Sequence, residues 1–211
     1  MTEQTPDILA LILAGGLGRR MEGQRKPLLR LGGRPLIERV AAQARAQCGA
    51  VALNLHDAAP ETAAPFADLG LPVATDAAPG RLGPLAGVLG GLDFAARNLP
   101  DVEFVLSLPC DCPFLPDDLA ARLLAAARRA PSSLACAASG GRTHPAIALW
   151  PLALRDELRR ALLVEGQRAV GKFQNAHGAV AVEWPATPRD PFFNINTPDD
   201  LARSQDMLGN Q

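Results

Sequence analysis

Four cations, Arg19, Arg20, Arg25 and Lys26, gather in the stretch that begins with Gly15, Gly16 and Gly18. Glycines at such a turn let backbone N–H groups come close to a phosphate. Guanidinium and ammonium groups beside them neutralise a polyphosphate. The spacing fits neither G-x-G-x-x-G nor G-x-x-x-x-G-K-[ST], so neither the dinucleotide nor the P-loop fingerprint applies. A strand-to-helix turn with solvated arginines has the same composition and stays open beside the phosphate reading. Farther along, Asp111 stands between Pro109 and Pro113 in LPCDCPF. A magnesium ion carrying nucleotide phosphates takes one or two carboxylates and keeps several waters; an aspartate that caps a turn is the competing use.

Other residues with chemical potential are more ambiguous. Cys48, Cys110, Cys112 and Cys136 form no C-x-x-C pair and no zinc spacing, which fits free buried thiols in a reducing compartment. Gly83-Pro84-Leu85-Ala86-Gly87 brings small residues to a helix start, where a ligand can approach the backbone closely or where Pro simply occupies the first turn. His144, between Thr143 and Pro145, suits a structural hydrogen bond more readily than catalysis; His56 and His177 have no partner at a useful spacing. Arg168 and Lys172, one turn apart, can bind a phosphate or face solvent, and Arg155, Arg159 and Arg160 read as solvated. Asp117 and Asp118 fall where acidic residues complement the first turn of a helix, which assigns them no chemistry.

These residues need elements to position them. Residues 8–14 are an unbroken apolar run, the pattern of a strand buried on both faces in a parallel sheet. Helical periods or strand-length apolar runs then alternate: helix 35–47, strand 50–55, helix 61–69, strand 71–74, helix 85–98, strand 103–108 and helix 116–130. Four strand–helix alternations argue for a doubly wound α/β sheet. In such sheets ligands bind at the carboxyl ends of the strands. Gly15, Gly16, Asn54, Asp76 and Asp111 each fall at or just after a strand end, so they are expected to converge on one crevice. The last third adds a strand at 146–150, an amphipathic helix at 152–164, core positions Val180, Val182 and Trp184, and a helix capped by Thr197 with Pro198 at its first position.

The 211 residues suit one large domain or two small ones, and no linker or repeat divides them. A net charge of −1 and a pI near 6.3 give no case for a nucleic-acid or anionic-membrane surface. No apolar run approaches the roughly 20 residues of a membrane span. The polar, acidic start MTEQTPD is unlike a signal peptide. A cytoplasmic protein is expected.

The string LAGGLGRRM, followed by Lys26-Pro27-Leu28 and Gly33-Arg34-Pro35-Leu36, resembles the opening of nucleotidyltransferases, and most of all the molybdenum cofactor guanylyltransferases of the MobA family. GPLAG at 83–87, LPCDCPFLP at 108–116, THPAIALW at 143–150, GQR at 166–168 and FNINTPDDL at 193–201 extend the resemblance from Ile8 to about Ala202. It implies a single domain over residues 1–211, a three-layer, Rossmann-like α/β fold with a mostly parallel sheet. The nucleotide-binding part would span about 7–130 and the second-substrate part about 131–205. The implied reaction transfers GMP from GTP to molybdopterin, releases pyrophosphate and requires Mg²⁺. Carried over by position, Leu13, Ala14, Gly15 and Gly16 would hold the guanine nucleotide, and Asn54 and Asp76 would line its nucleoside side. Lys26 would contact phosphate, Asp111 would bind Mg²⁺, Arg20 and Lys26 would stabilise the leaving pyrophosphate, and Asn194 and Asn196 would lie close by. Cofactor-delivery proteins and apo-molybdoenzymes are the implied protein partners.

Two positions depart from the family pattern. An acidic residue usually precedes the lysine and glycine occupies position 22, whereas this chain has Arg25 and Glu22. A molybdopterin cytidylyltransferase is the nearest rival; such chains resemble LAAG at the first loop and lack GPLAG. A sugar-phosphate nucleotidyltransferase would usually be longer and carry different C-terminal motifs. A nucleotide- or cofactor-binding module without catalysis is a further alternative, which Lys26 and Asp111 oppose.

Overall fold

The computed structural model describes residues 5–15, 25–80 and 82–209. Gly16, Gly18, Arg19, Arg20 and Glu22 therefore lie outside the described residues. The apolar run near the start forms strand β1 (Thr5–Leu13) at the centre of a seven-stranded sheet. Its side chains alternate between the two faces. Ile8, Ala10 and Ile12 enter one core and Leu9 and Leu11 the other, which is why the run shows no polar alternation.

The other elements follow in chain order. A short hairpin, β2 (Arg30–Leu31) and β3 (Arg34–Pro35), leads into α1 (Leu36–Gln47). Strand β4 (Cys48–Leu55), the short α2 (Pro60–Ala63), a 3-10 turn (Ala64–Leu69) and β5 (Val73–Thr75) come next. Then α3 (Pro84–Asn98), β6 (Phe104–Pro109), α4 (Leu119–Ala127), β7 (Ala135–Ser139) and β8 (Arg142–Pro151) follow. The chain ends with α5 (Arg155–Leu163), α6 (Val170–Ala176), β9 (Val180–Trp184) and α7 (Pro198–Gly209).

The strand order is β5-β4-β1-β6-β8-β7-β9, and every strand but β8 points the same way. The sheet is thus mostly parallel, as expected. Helices α1 and α4 cover one face through Ile37, Val40, Ala44, Leu119, Leu123 and Ala127. Helices α3, α5 and α6 cover the other through Leu85, Leu89, Leu92, Leu158, Leu162 and Phe173. This is the three-layer α/β architecture. The connections leave β1 toward β4 on one side and return to β6 on the other, so the β1/β6 boundary is the point where the winding reverses. Crevices at such points receive ligands in open α/β sheets.

Close packing of α3 on the sheet depends on glycine. A Cβ on Gly90 would fall inside the backbone carbonyl of Thr75 on β5. Gly90→Ala gains about 1 kcal/mol of helix propensity. Overpacking costs about 1–3 kcal/mol, and a backbone carbonyl cannot swing aside as a flexible side chain can. Net destabilisation near 2 kcal/mol is expected, read as a lower urea midpoint at unchanged slope. An unchanged midpoint would show that α3 can back away freely.

Four expectations need correcting. Helix α4 begins at Leu119 rather than Pro116, and Asp118 sits at its N-cap position, where it accepts a 2.8 Å hydrogen bond from Trp184 Nε1. Val180 is 37% exposed and Val182 only partly buried, because β9 is the edge strand; Trp184 alone of the three is buried. Strand β7, in the small-residue stretch Ala135–Ser139, was not anticipated, and the helix suggested by Arg168 and Lys172 begins only at Val170. Arg159 is not simply solvated either. It donates to buried Asp93 on α3, with Arg155 4.0 Å from the same carboxylate, and so ties α5 to α3.

Candidate active site

The ends of β1 and β6 lie side by side, with the N–H of Cys110 donating to the carbonyl of Leu13 at 3.3 Å. Pro109 and Pro113 bracket the turn that follows β6, and Asp111 emerges from it only 9% exposed. Its side chain meets the ammonium of Lys26 in an ion pair. The sequence offered Asp111 no basic neighbour; the fold supplies one from 85 residues away.

Lys26 opens a 3-10 turn, Lys26–Leu28, whose Pro27 is buried. Its Nζ also donates to Asn196 Oδ1 at 2.7 Å and to Asn194 Oδ1 at 3.3 Å. These two asparagines reach the site because the segment between them is anchored from both sides. Ile195 is fully buried with Leu29, Leu31, Leu36 and Phe114, and its N–H donates to the carbonyl of Asp111 at 3.0 Å. Lys26, Asp111, Asn194 and Asn196, spread over most of the chain, thus share one point.

The start of α7 sets the backbone of Asn196. Asp200 Oδ2 accepts from the N–H groups of Asn196 and Thr197, both at 3.0 Å, while Thr197 Oγ1 accepts from the N–H of Asp200 at 3.1 Å. This reciprocal cap realises the Thr197 helix start expected from the sequence. Burial alone would raise the Asp200 pKa, but the N–H of Asn196, the Thr197 hydroxyl, Arg203 and the N–H of Thr197 outweigh it and hold it below the ordinary value. Its contribution to stability is therefore complete above the ordinary carboxylate range, near 4, and fades as pH falls through the lowered folded value. Asp200→Ala is expected to cost about 1 kcal/mol of stability. It should also lower turnover at temperatures where the variant is fully folded, because Asn196 loses its anchor. Denaturant titration and steady-state kinetics on one preparation check both; full turnover would detach the cap from the site.

A second cluster lies at the ends of β4 and β5. Asn54 Nδ2 donates to the carbonyl of Ala74 and to Asp76 Oδ1, both at 3.1 Å, and its own carbonyl accepts from the N–H of Ala14 at 3.0 Å. His56 Nδ1 lies 3.3 Å from Asp76 Oδ2, a partnership the sequence spacing did not reveal. A Cβ on Gly87 would collide with Asn54 Oδ1, so this glycine of GPLAG makes room for Asn54 rather than standing open to a ligand. Leu13, Ala14 and Gly15 run between the two clusters. Gly15 packs near the backbone of His56, with 3.1 Å from a would-be Cβ to its nitrogen. Gly15, Asn54, Asp76 and Asp111 each stand at or just after the end of neighbouring strands of the sheet, Asn54 and Asp76 in one cluster and Asp111 in the other; Gly16 and Arg20 lie outside the described residues.

Other candidates have partners within the fold. Arg168 Nη1 donates to the carbonyls of Leu162 at 2.6 Å and Gln167 at 3.1 Å, satisfying the end of α5. Arg25 donates to the carbonyl of Glu61 at 3.3 Å. Burial pushes the Cys48 thiol up to about 12 and raises those of Cys110 and Cys112 further, the Asp111 charge adding to both. All four thiols are buried and free, which is not the setting of a reactive cysteine.

Among the described residues, no three His, Cys, Asp or Glu side chains gather where they could hold a metal alone. The donors around Lys26 Nζ nevertheless form a cation niche: one carboxylate and two amide oxygens enclose a positive charge. A single carboxylate with neutral oxygens suits an ion that completes its shell with substrate phosphates and water, the habit of Mg²⁺.

A model of the MobA-like NTP transferase domain matches residues 10–180. The chain belongs to the MobA-like nucleotidyltransferase family. Among its relatives, a molybdenum cofactor guanylyltransferase of Rhodopseudomonas palustris (strain BisB5) is 50% identical, covering 95% of this chain and 93% of that one. Another of that name, from Bradyrhizobium sp. (strain ORS 278), is 47% identical over the same shares. The solved structure of molybdopterin-guanine dinucleotide biosynthesis protein A from Archaeoglobus fulgidus superposes with a TM-score of 0.73 at 24% identity, covering 96% of this MobA-like chain and all of that one. A 2-C-methyl-D-erythritol 4-phosphate cytidylyltransferase from Thermus thermophilus gives 0.66, also at 24% identity, over 94% and 98%. Guanylyl and cytidylyl enzymes thus share this fold, and it is the sequence relatives that separate them. The MobA-like chain is a nucleotidyltransferase.

Proposed function

We infer that this MobA-like chain transfers GMP from GTP to molybdopterin, leaving molybdopterin guanine dinucleotide and pyrophosphate. The observation that carries the reading is the meeting of Lys26, Asp111, Asn194 and Asn196 where β1 and β6 end, in a chain half identical to a molybdenum cofactor guanylyltransferase. In this reading the backbone of Leu13, Ala14, Gly15 and Gly16 holds the guanine nucleotide, and Asn54 and Asp76 face its nucleoside side. Residues of about 7–130 bind GTP and those of about 131–205 bind molybdopterin, as one domain. Four buried free thiols and the absence, among the described residues, of any helix long and apolar enough to cross a membrane agree with work in the cytoplasm. Proteins that deliver the cofactor or receive the product are the natural partners of such an activity.

The chemistry follows from charge. An oxygen of the molybdopterin phosphate attacks the α-phosphorus of GTP, and the bond from that phosphorus to the bridging oxygen of the β-phosphate breaks. A phosphate monoester is largely dianionic at neutral pH, since its second pKa is near 6. It therefore needs no base to make it nucleophilic, and the protein's task is positioning and charge neutralisation. Lys26 exchanges its carboxylate and amide partners for phosphate oxygens and, with Arg20, stabilises the departing pyrophosphate. Asp111, with Asn194 and Asn196 beside it, would hold Mg²⁺, which when bound supplies Lewis-acid neutralisation of phosphate oxygens.

GTP labelled in the α-phosphate tests the assignment. Label is expected in a molybdopterin dinucleotide, while label in the γ-phosphate leaves as pyrophosphate. Transfer from α-labelled CTP instead of GTP would overturn the guanylyl reading.

A further inference from the structure

A cavity of about 330 Å³ is lined by Cys112, Arg142, His144, Ile147, Phe192 and Asn194, among others. Asn194 also belongs to the Lys26 cluster, so the cavity opens beside the reacting centre. Its aromatic wall is the His144–Phe192 pair, with ring centroids 5.0 Å apart.

The hydrogen bonds behind this wall fix where the His144 proton sits. Ser139 Oγ lies 2.7 Å from His144 Nε2 and 2.8 Å from Asp190 Oδ1. Asp190 is itself pinned by the N–H of Phe192 at 2.9 Å. An ionised carboxylate only accepts, and a hydroxyl has a single proton to give. Ser139 gives that proton to Asp190 and must therefore accept one from Nε2–H. The neutral ring then carries a lone pair on Nδ1. No hydrogen bond within the described residues engages Nδ1, and no buried side-chain nitrogen or oxygen among them lacks a partner. Nδ1 is thus accessible on a ring that lines the cavity.

We propose that His144 is a specificity-determining residue for the acceptor substrate: its Nδ1 accepts a hydrogen bond from a ring N–H or amino group of the pterin heterocycle, while Ser139 and Asp190 are positioning residues that hold the required tautomer. The proposal rests on molybdopterin being the second substrate. Burial lowers the pKa of His144, against the charge of Asp190; Arg142 adds to the lowering and Glu183 opposes it. The ring is accordingly neutral at pH 7, and the acceptor becomes a donor only when pH falls below the ordinary histidine range around 6.5.

The test uses the whole chain and free pterin as probe, with binding followed by pterin fluorescence. Nitrogen-15 NMR of histidine-labelled protein, assigned with His144→Phe, should show the proton on Nε2 at neutral pH. His144→Phe keeps an aromatic wall against Phe192 but removes the acceptor, and should weaken pterin binding about tenfold, the scale of one lost hydrogen bond. The KM for GTP should stay within about twofold. Wild-type binding should also weaken as pH falls below 6, with no such fall in His144→Phe. Ser139→Ala removes the oxygen that accepts from Nε2–H, so nothing holds the ring proton on Nε2. That variant should lose pterin affinity with the ring intact and with a changed tautomer signal, which a merely structural role would not produce. A proton on Nδ1 in the wild type, or equal pterin affinity in wild type and His144→Phe, would overturn the proposal. Failure of dinucleotide formation despite His144-dependent pterin binding would count against the transferase reading and leave this one standing.

Discussion

Asp111→Asn should reduce pyrophosphate release by a factor of about 10³ or more, with the chain still folded. The substitution keeps shape and removes one negative charge at the point where Lys26, Asn194 and Asn196 converge. Preorganised charge at a reacting phosphate contributes on the order of 10²–10³ in rate per group. Asp111 is asked for two services, placing Lys26 and holding the metal that accompanies the nucleotide, so its loss should exceed that of a single donor. Stability should change in a separable way. The Lys26 and Asp111 side chains are only 15% and 12% exposed, and the amide leaves a largely buried ammonium without its anion. A double substitution, Lys26→Met with Asp111→Asn, removes both charges. It should recover part of the stability lost by Asp111→Asn and none of the activity. If activity returned with stability, the carboxylate would be structural.

Lys26→Ala carries the second large effect, a fall in kcat of about 10²–10³. Asp111 then keeps its charge but loses the cation that balances it, and the two asparagine oxygens lose their donor. Arginine should not rescue this site. The niche closes on a single nitrogen with Asn196 Oδ1 at 2.7 Å and Asn194 Oδ1 at 3.3 Å, a geometry for a point charge rather than for a planar fork. Steady-state kinetics of Lys26→Ala and Lys26→Arg beside wild type check this. Normal turnover in the arginine variant would mean that Lys26 supplies diffuse charge and not a placed donor.

Much of this was legible in the residues. The apolar run of β1 declares itself because both its faces are buried, and the strand-end rule pairs Asn54 with Asp76 and sets Asp111 just past the end of β6. The family resemblance adds Lys26, Asn194 and Asn196, whose sequence separation hides their contact.

What stayed illegible depends on packing between distant elements. Arg159 reads as a solvated helix face until α5 lies against α3 and brings Asp93 to it. Arg168 reads as a phosphate ligand or an exposed helical face until the end of α5 offers it carbonyls. Val180 looks like core because hydrophobic alternation cannot say that β9 is the edge of the sheet. Strand β7, in Ala-Cys-Ala-Ala-Ser, has almost no β-branched or aromatic signal and is a strand because β8 and β9 pair with it on either side. The Ser139–His144–Asp190 arrangement was out of reach for the same reason, since Asp190 arrives from a loop 46 residues beyond His144.

The most direct measurement of the central claim is Mg²⁺-dependent pyrophosphate release with molybdenum-loaded molybdopterin, comparing GTP, CTP, ATP and UTP in wild type and Asp111→Asn. The account predicts release with GTP alone, abolished by chelation of Mg²⁺ and by the substitution. Release with CTP, or undiminished release from Asp111→Asn, would contradict it.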